Sequence, residues 1–153
     1  MAFKTLSTIR VKGNIHDAFE IIRDIKKWPD IFPPCKEVEI YEEKGNKTTF
    51  YLTAVTNGIR NRWFSEQEVI EKYQLIRFRQ LEPSPPLLFM QGEWHLAQRG
   101  TEVKIEMTHE FDVKTVIFFR PILGFIIKKF FVDRNSNIEL RALAEEIMKR
   151  KGA

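Results

Sequence analysis

Apolar and polar residues alternate with a period of two from Glu37 to Asp112, and this pattern constrains the fold of the chain most. Such alternation predicts β-strands with one buried face and one solvent face. Short turn signals interrupt it, among them Asn57-Gly58, which favours a two-residue hairpin. Because strands joined by hairpins are antiparallel, we predict an antiparallel meander. Its strands are expected over residues 37–43, 48–55, 59–70, 74–81, 87–97 and 101–112.

The segments on either side of the meander complete a single α+β domain over residues 1–153. Phe3–Val11 predicts a first strand, and Asn14 is a candidate N-cap for a helix over Ile15–Asp24. A second short helix is expected to end at Pro33-Pro34. The C-terminal segment has an apolar stripe of helical spacing: Leu140, Leu143, Ala144, Ile147 and Met148. A curved sheet of about seven strands wrapped around this long helix would leave a hollow between them.

Composition excludes several classes of function. The 153 residues include 13 Phe and are 43% hydrophobic, which indicates a thick core or an aromatic-lined cavity. The net charge of +4 is spread along the chain and does not indicate a nucleic-acid binder. With Cys35 as the only cysteine and three histidines, we expect no disulfide, no metal site and no cofactor. The N-terminus lacks the apolar stretch of a signal peptide, so we expect a cytoplasmic protein.

His109 is the histidine that the alternation turns inward. In the run Val103–Phe111 it lies on the apolar face, whereas His95 falls on the outer face of its strand. A buried imidazole is either a satisfied core residue or a functional group in a cavity. Glu139 borders the apolar stripe of the last helix and is the predicted partner that would orient His109. A purely structural His–Glu pair is the alternative.

The predicted strand Ile59–Ile70 has an unusually polar inner face. Its outer positions are mostly charged, and its inner positions include Asn61, Trp63, Ser65 and Gln67. Because each buried polar group needs a partner, a hydrated or ligand-filled cavity explains these residues better than a core with internal hydrogen bonds. The strand from Leu87 adds further residues to the inner face: Leu88, Met90, Gly92, Trp94 and Leu96.

The segment Val116–Val132 is very apolar but is interrupted by Arg120, Pro121 and Lys128. It is too short and too charged to span a bilayer. Three interpretations stay open: a buried helix, a lid over the cavity, or a surface that touches lipid. We do not favour contact with a membrane.

A set of short motifs is distributed along most of the chain: Trp28–Pro34 with Glu37–Ile40, Trp63–Ser65, Arg79–Glu82, Met90–Trp94, Thr108–Phe111 and Arg134–Ser136. In order and spacing these motifs resemble the START-like (helix-grip, SRPBCC) superfamily, specifically its polyketide aromatase/cyclase branch. The resemblance implies a helix-grip fold with a deep cavity. In that cavity a poly-β-ketone chain, held on an acyl carrier protein, would undergo aldol cyclisation and dehydration. A homodimer is also suggested by the resemblance.

The resemblance further implies three catalytic residues, which fall on His109, Glu139 and Gln67. Gln67 replaces an arginine of the family, so the charge that would stabilise an enolate is absent there. Eight residues are expected to bind substrate: Phe32, Asn61, Trp63, Ser65, Met90, Trp94, Phe111 and Asn135. Two functions stay open: a polyketide cyclase/dehydratase-like lyase without metal or cofactor, and a non-catalytic carrier of a lipid, quinone or aromatic product.

Overall fold

The computed structural model describes residues 2–56, 58–83, 86–115 and 118–151. Within them lie seven strands: β1 (Phe3–Lys12), β2 (Cys35–Lys44), β3 (Lys47–Thr56), β4 (Ile59–Ile70), β5 (Leu75–Glu82), β6 (Leu87–Arg99) and β7 (Glu102–Val113). They form one antiparallel sheet in the order β1-β7-β6-β5-β4-β3-β2. The predicted meander is therefore confirmed, although Asn57 of the predicted hairpin turn lies outside the described residues.

The helices flank the sheet in sequence and cover its concave face. After β1 come α1 (Ile15–Arg23), a 3₁₀ turn and α2 (Trp28–Ile31); after β7 come α3 (Arg120–Ile127), a π-helical segment over Lys128–Asp133 and α4 (Arg134–Lys151). Asn14 is the N-cap of α1, because its side chain accepts a hydrogen bond from the Asp17 N–H at 2.9 Å. The helix-grip architecture that the motifs implied is confirmed.

The main core lies between the sheet, α1 and α4. Ile21 and Ile22 of α1 and Leu143 and Ile147 of α4 are fully buried against it. Ile147 of α4 can pack closely against the backbone at residue 13 because that residue is glycine. A Cβ there would lie 2.4 Å from Ile147 Cγ2. Met148 was predicted on the same stripe, but it is 58% exposed because it follows Ile147 by about 100° around the helix.

A β-bulge in β6 corrects one predicted orientation. Leu87 pairs with Val113 and Phe89 with Asp112, so Leu88 is an extra residue in β6. The bulge turns Leu88 outward, where it is 53% exposed, instead of into the hollow. Met90, beyond the bulge, faces inward as predicted.

The apolar segment before α4 is a helical wall with two different faces. Gly124, Ile127 and Val132 are buried, whereas its outer face exposes Ile122, Phe125, Ile126 and Phe130. Within the described part of the chain, no helix is both long and apolar enough to cross a membrane. Val116 and Ile117 at the start of the predicted segment lie outside the described residues.

Candidate functional site

A cavity of about 330 Å³ lies between the concave face of the sheet, α2 and the C-terminal helices. This volume is within the range of small-molecule binding sites. Seven of the eight predicted substrate-binding residues line it: Phe32, Asn61, Trp63, Ser65, Met90, Trp94 and Asn135. The alternation of β4 and β6 therefore identified the cavity face of both strands.

Aromatic side chains form one wall of the cavity. Trp28 of α2 packs edge-on against Phe32 and Phe50, with ring centroids 5.9 and 5.7 Å apart. Its indole Nε1 donates to the Ile22 carbonyl oxygen at 3.1 Å, which fixes the ring against α1. This wall is suited to the flat, apolar portion of a ligand.

Asn135 joins the first turn of α4 to the end of β3. Its Nδ2 donates to Thr56 Oγ1 at 2.9 Å, and both residues line the cavity. The amide is thus engaged within the protein and positions the helix beside the sheet.

His109 of β7 lies in the cavity and is hydrogen-bonded to Ser136 of α4. The Nδ1 atom is 3.3 Å from Ser136 Oγ, and that hydroxyl donates to the Val132 carbonyl oxygen at 2.8 Å. Because the hydroxyl proton is committed to Val132, Ser136 can only accept from His109. Nδ1 therefore carries the imidazole proton, and Nε2 has a lone pair that no residue in the described part of the chain uses.

The surroundings of His109 keep the ring neutral. The ring of Phe78 in β5 packs edge-on against the imidazole, with ring centroids 5.2 Å apart. Gly92 of β6 lies between them in the sheet, because it pairs with Phe78 on one side and with His109 on the other. Burial lowers the pKa of His109 from 6.5 to about 4. A neutral imidazole with a free Nε2 can accept a proton.

Glu139 also lines the cavity, one helical turn beyond Ser136. Burial raises the pKa of its carboxyl group from 4.5 to about 7. Burial raises the pKa of the Cys35 thiol to about 12, and the charge of Glu139 adds to that increase. Glu139 therefore acts electrostatically on Cys35.

The expected pairing of Glu139 with His109 is corrected by these contacts: Ser136 is the hydrogen-bond partner of His109. Helical spacing correctly predicted that the Glu139 face of α4 lines the cavity, but it did not predict which turn of α4 contacts His109. Ser136, three residues before Glu139 on that face, was missed, although its position in the Arg134–Ser136 motif was a signal.

Two predicted site residues are not among those that line the cavity. Gln67 is only 2% exposed, and Phe78, its register neighbour on β5, lines the cavity instead. Phe111 is fully buried and stacks on Phe3 at 5.4 Å, in a separate cluster beneath α3.

Gln80 of β5 is a cavity residue that the sequence reasoning missed. It pairs in register with Ser65 and lines the cavity. Its buried Oε1 has no hydrogen-bond partner among the residues that the structure describes. The signal was available, because alternation over residues 74–81 places Ile76, Phe78 and Gln80 on the apolar face.

Comparisons with known proteins agree with this architecture. Over 143 residues the chain is 25% identical to the actinorhodin polyketide synthase bifunctional cyclase/dehydratase of Streptomyces coelicolor, with 92% of this chain and 42% of that protein covered. It is 30% identical to the granaticin polyketide synthase bifunctional cyclase/dehydratase of Streptomyces violaceoruber, with 90% of this chain and 41% of that protein covered. The chain thus spans less than half the length of these two relatives.

A solved structure and a family model give the same assignment. The crystal structure of the Zhui aromatase/cyclase from a Streptomyces species superposes with a TM-score of 0.86 at 25% identity, and 98% of this chain and 96% of that chain are covered. Residues 11–138 match the model of a family described as polyketide cyclase/dehydrase and lipid transport. The helix-grip fold, its cavity and this match over most of the chain show that the protein belongs to the polyketide cyclase/dehydrase and lipid transport family.

Proposed function

We propose that this protein is a polyketide aromatase/cyclase that promotes aldol cyclisation and dehydration of a poly-β-ketone. The observation that carries the proposal is the hydrogen bond from His109 Nδ1 to Ser136, which leaves Nε2 free in an otherwise mostly apolar cavity. The relatives named as cyclase/dehydratases and the Zhui aromatase/cyclase support it.

His109 is the proposed general base. Its Nε2 takes a proton from the carbon between two carbonyl groups, and the resulting enolate carbon attacks a second carbonyl group of the same chain. Because burial holds the pKa of His109 at about 4, the imidazole is unprotonated at neutral pH and available for this step.

Glu139 is the proposed general acid. With its pKa raised to about 7, the carboxyl group retains its proton in a substantial fraction of molecules at neutral pH. It donates that proton to the alkoxide formed by carbon–carbon bond formation. His109 then loses its proton and Glu139 regains one by exchange with solvent, which restores both groups. In the dehydration, His109 takes a second α-proton, Glu139 protonates the leaving hydroxyl group, and water departs. Glu139, as a neutral acid, thus stabilises the developing charge in the cavity, where the resemblance implied an arginine and Gln67 does not line the wall.

The substrate is proposed to arrive on an acyl carrier protein, as the resemblance implies. The cavity wall of Trp28, Phe32 and Phe50 would hold the folded chain, and no residue of the proposed chemistry requires a metal or a redox cofactor.

A second candidate is a carrier that binds a hydrophobic product without transforming it. The outer face of α3 favours this function, because Ile122 and Phe125 are 60% and 58% exposed on the helix that also carries Ile127 of the cavity wall. This carrier would bind an aromatic product and form no ring.

The test is ring formation on a poly-β-ketone bound to an acyl carrier protein, followed by mass spectrometry and compared with the spontaneous reaction. The wild-type protein is expected to accelerate formation of a single aromatic product. His109→Ala is expected to lower the rate by about 10²–10⁴-fold, and Glu139→Gln is expected to accumulate the undehydrated aldol.

Matched controls are available on the outer surface. His95 lies on the outer face of β6 bonded to Glu93, so His95→Ala should retain activity. Glu145→Gln is the corresponding exposed control on α4. Full activity in a folded His109→Ala variant would reject the catalytic proposal, and tight product binding without acceleration by the wild-type protein would favour the carrier.

A further inference from the structure

Gln80 has a hydrogen-bonding capacity that the part of the protein described by the structure does not use. Its Oε1 is buried and has no partner among those residues, although Gln80 lies on the cavity wall. A buried acceptor without a donor carries an energetic cost. A ligand that supplies the missing donor recovers this cost, whereas an apolar ligand does not.

The geometry of β5 explains why this side chain faces the cavity. The ladder between β5 and β6 ends at the pair Arg79–Gln91, so Gln80 has no partner residue on β6. On its other side, the ladder with β4 is shifted between Phe64 and Ser65, beside Gln80. A shift of this kind re-aims side chains, and here it occurs where Gln80 pairs with Ser65, which also lines the cavity.

The position of Gln80 separates it from the proposed proton transfer. It is two residues from Phe78 along β5, and Phe78 in turn contacts His109. Two strand spacings and two residues separate the Cα atoms of Gln80 and His109, on the order of 12 Å. A ligand group that binds Gln80 would therefore be a different group from the carbon that reacts at His109.

We propose that Gln80 is the binding residue for a hydroxyl group that lies next to a carbonyl group, as in the enol form of a 1,3-diketone. A carboxamide offers one acceptor and one donor side by side. The enol hydroxyl would donate to Oε1, and the neighbouring carbonyl oxygen would accept from Nε2–H. This assignment rests on the proposed function, and it specifies which tautomer of the polyketone the cavity selects.

The experiment compares two ketones that share one skeleton. The first is 1-phenylbutane-1,3-dione, which forms an enol, and the second is 1-phenylbutan-1-one, which has a single carbonyl group. Affinities are measured by calorimetry, and the enol fraction of the bound diketone is measured by its near-ultraviolet absorption. Wild-type protein is expected to bind both ketones and to raise the enol fraction of the first.

Gln80→Leu and Gln80→Met remove the carboxamide and retain an apolar side chain of similar size. Each is expected to weaken binding of the diketone by about three- to tenfold and to abolish the rise in enol fraction, with the monoketone bound as before. Gln80→Met keeps the length of the side chain and serves if the leucine variant does not fold. Gln91→Met makes the same chemical change on the exposed face of β6 and should bind like wild type.

The outcomes separate the inference from the function on which it rests. Equal diketone affinity and an equal enol fraction in wild type and both Gln80 variants would overturn the role of Gln80. If wild-type protein binds neither ketone, the proposed function fails and the inference fails with it. If both ketones bind but the monoketone is preferred, the cavity accepts ketones and only the role of Gln80 is refuted.

Discussion

The Nδ1 atom of His109 lies 3.3 Å from Ser136 Oγ, and this contact links the last strand of the sheet to the C-terminal helix. Ser136 is fully buried, and its hydroxyl also donates to the Val132 carbonyl oxygen four residues earlier. The π-helical segment Lys128–Asp133 ends just before α4 and contains that carbonyl group. The turn that precedes α4 thereby determines which nitrogen of His109 carries the proton.

Ser136→Ala is expected to release this control. Without the acceptor, the Nδ1–H tautomer of His109 loses about 0.5–1.5 kcal/mol of stabilisation. The population with a free Nε2 should therefore fall, and the cyclisation rate should decrease by about three- to tenfold. Nitrogen-15 NMR of the imidazole checks the tautomer directly. An unchanged tautomer in a folded Ser136→Ala protein would contradict the assignment.

His109 and Glu139 are expected to affect stability in opposite directions with pH. Between pH 4 and 6.5, the unfolded chain binds a proton at His109 that the folded protein does not, so stability rises with pH. Between pH 4.5 and 7, the folded protein retains a proton at Glu139 that the unfolded chain has released, so stability falls as pH rises. Between pH 4.5 and 6.5, where the two pH ranges overlap, the effects of His109 and Glu139 on stability oppose each other.

Glu139→Gln separates these contributions. The free energy of unfolding of the variant, relative to wild type, should increase from pH 4.5 to 7, by at most about 1.4 kcal/mol per pH unit. Urea unfolding at a series of pH values measures the difference, with the exposed substitution Glu145→Gln as control. Parallel pH profiles for wild type and Glu139→Gln would show that Glu139 titrates normally.

The sheet was predictable because alternation and turn residues act locally. Asn14 at the helix cap and the inner faces of β4 and β7 follow from neighbours within a few positions in the chain. The bulge at Leu88 was not predictable in this way, since an extra residue leaves no mark in a run such as Leu87-Leu88-Phe89 that is apolar throughout.

The sequence predicted which face of β7 and of α4 lies toward the cavity, but not the position of α4 along its axis relative to β7. Periodicity places His109 inward and Glu139 toward the sheet, but contact depends on how far α4 is displaced along its axis. That displacement is determined by long-range packing, such as Ile147 against Gly13, which no local pattern encodes. Ser136, one turn from Glu139, is therefore the residue that contacts His109.

Gly92→Ala is expected to disturb His109 without touching it directly. A Cβ at residue 92 would lie 2.0 Å from the Thr108 carbonyl oxygen and 2.4 Å from Phe78 Cζ. Because the first of these is a backbone atom that cannot rotate away, we expect a loss of about 1–3 kcal/mol in unfolding free energy. Displacement of Phe78 should also shift the imidazole NMR signals of His109.

A double-mutant cycle measures how much of the stability loss caused by Gly92→Ala arises from contact with Phe78. In a protein that carries Phe78→Leu, Gly92→Ala should lower the unfolding free energy by less than in wild type, because the shorter leucine side chain does not reach the new methyl group. Strict additivity of Gly92→Ala and Phe78→Leu would refute the contact.

Gly124→Ala is expected to detach α3 from β1. A Cβ there would lie 1.9 Å from Phe3 Cζ, and the ring cannot move easily because it stacks on Phe111 at 5.4 Å. Arg120 holds the start of α3 by two hydrogen bonds to Asp112, at 2.9 and 2.8 Å. The helix should therefore pivot about Arg120, with a loss of about 1–3 kcal/mol in unfolding free energy.

The same substitution should also weaken binding of ketones, because α3 carries Ile127 of the cavity wall. The double variant Gly124→Ala/Phe3→Ala should lose less unfolding free energy than the two single variants lose together. The smaller side chain at residue 3 makes room for the new methyl group. Urea unfolding of the four proteins gives the coupling. If the double variant is as unstable as the sum predicts, Phe3 does not set the position of α3, and the loss must arise elsewhere in the helix.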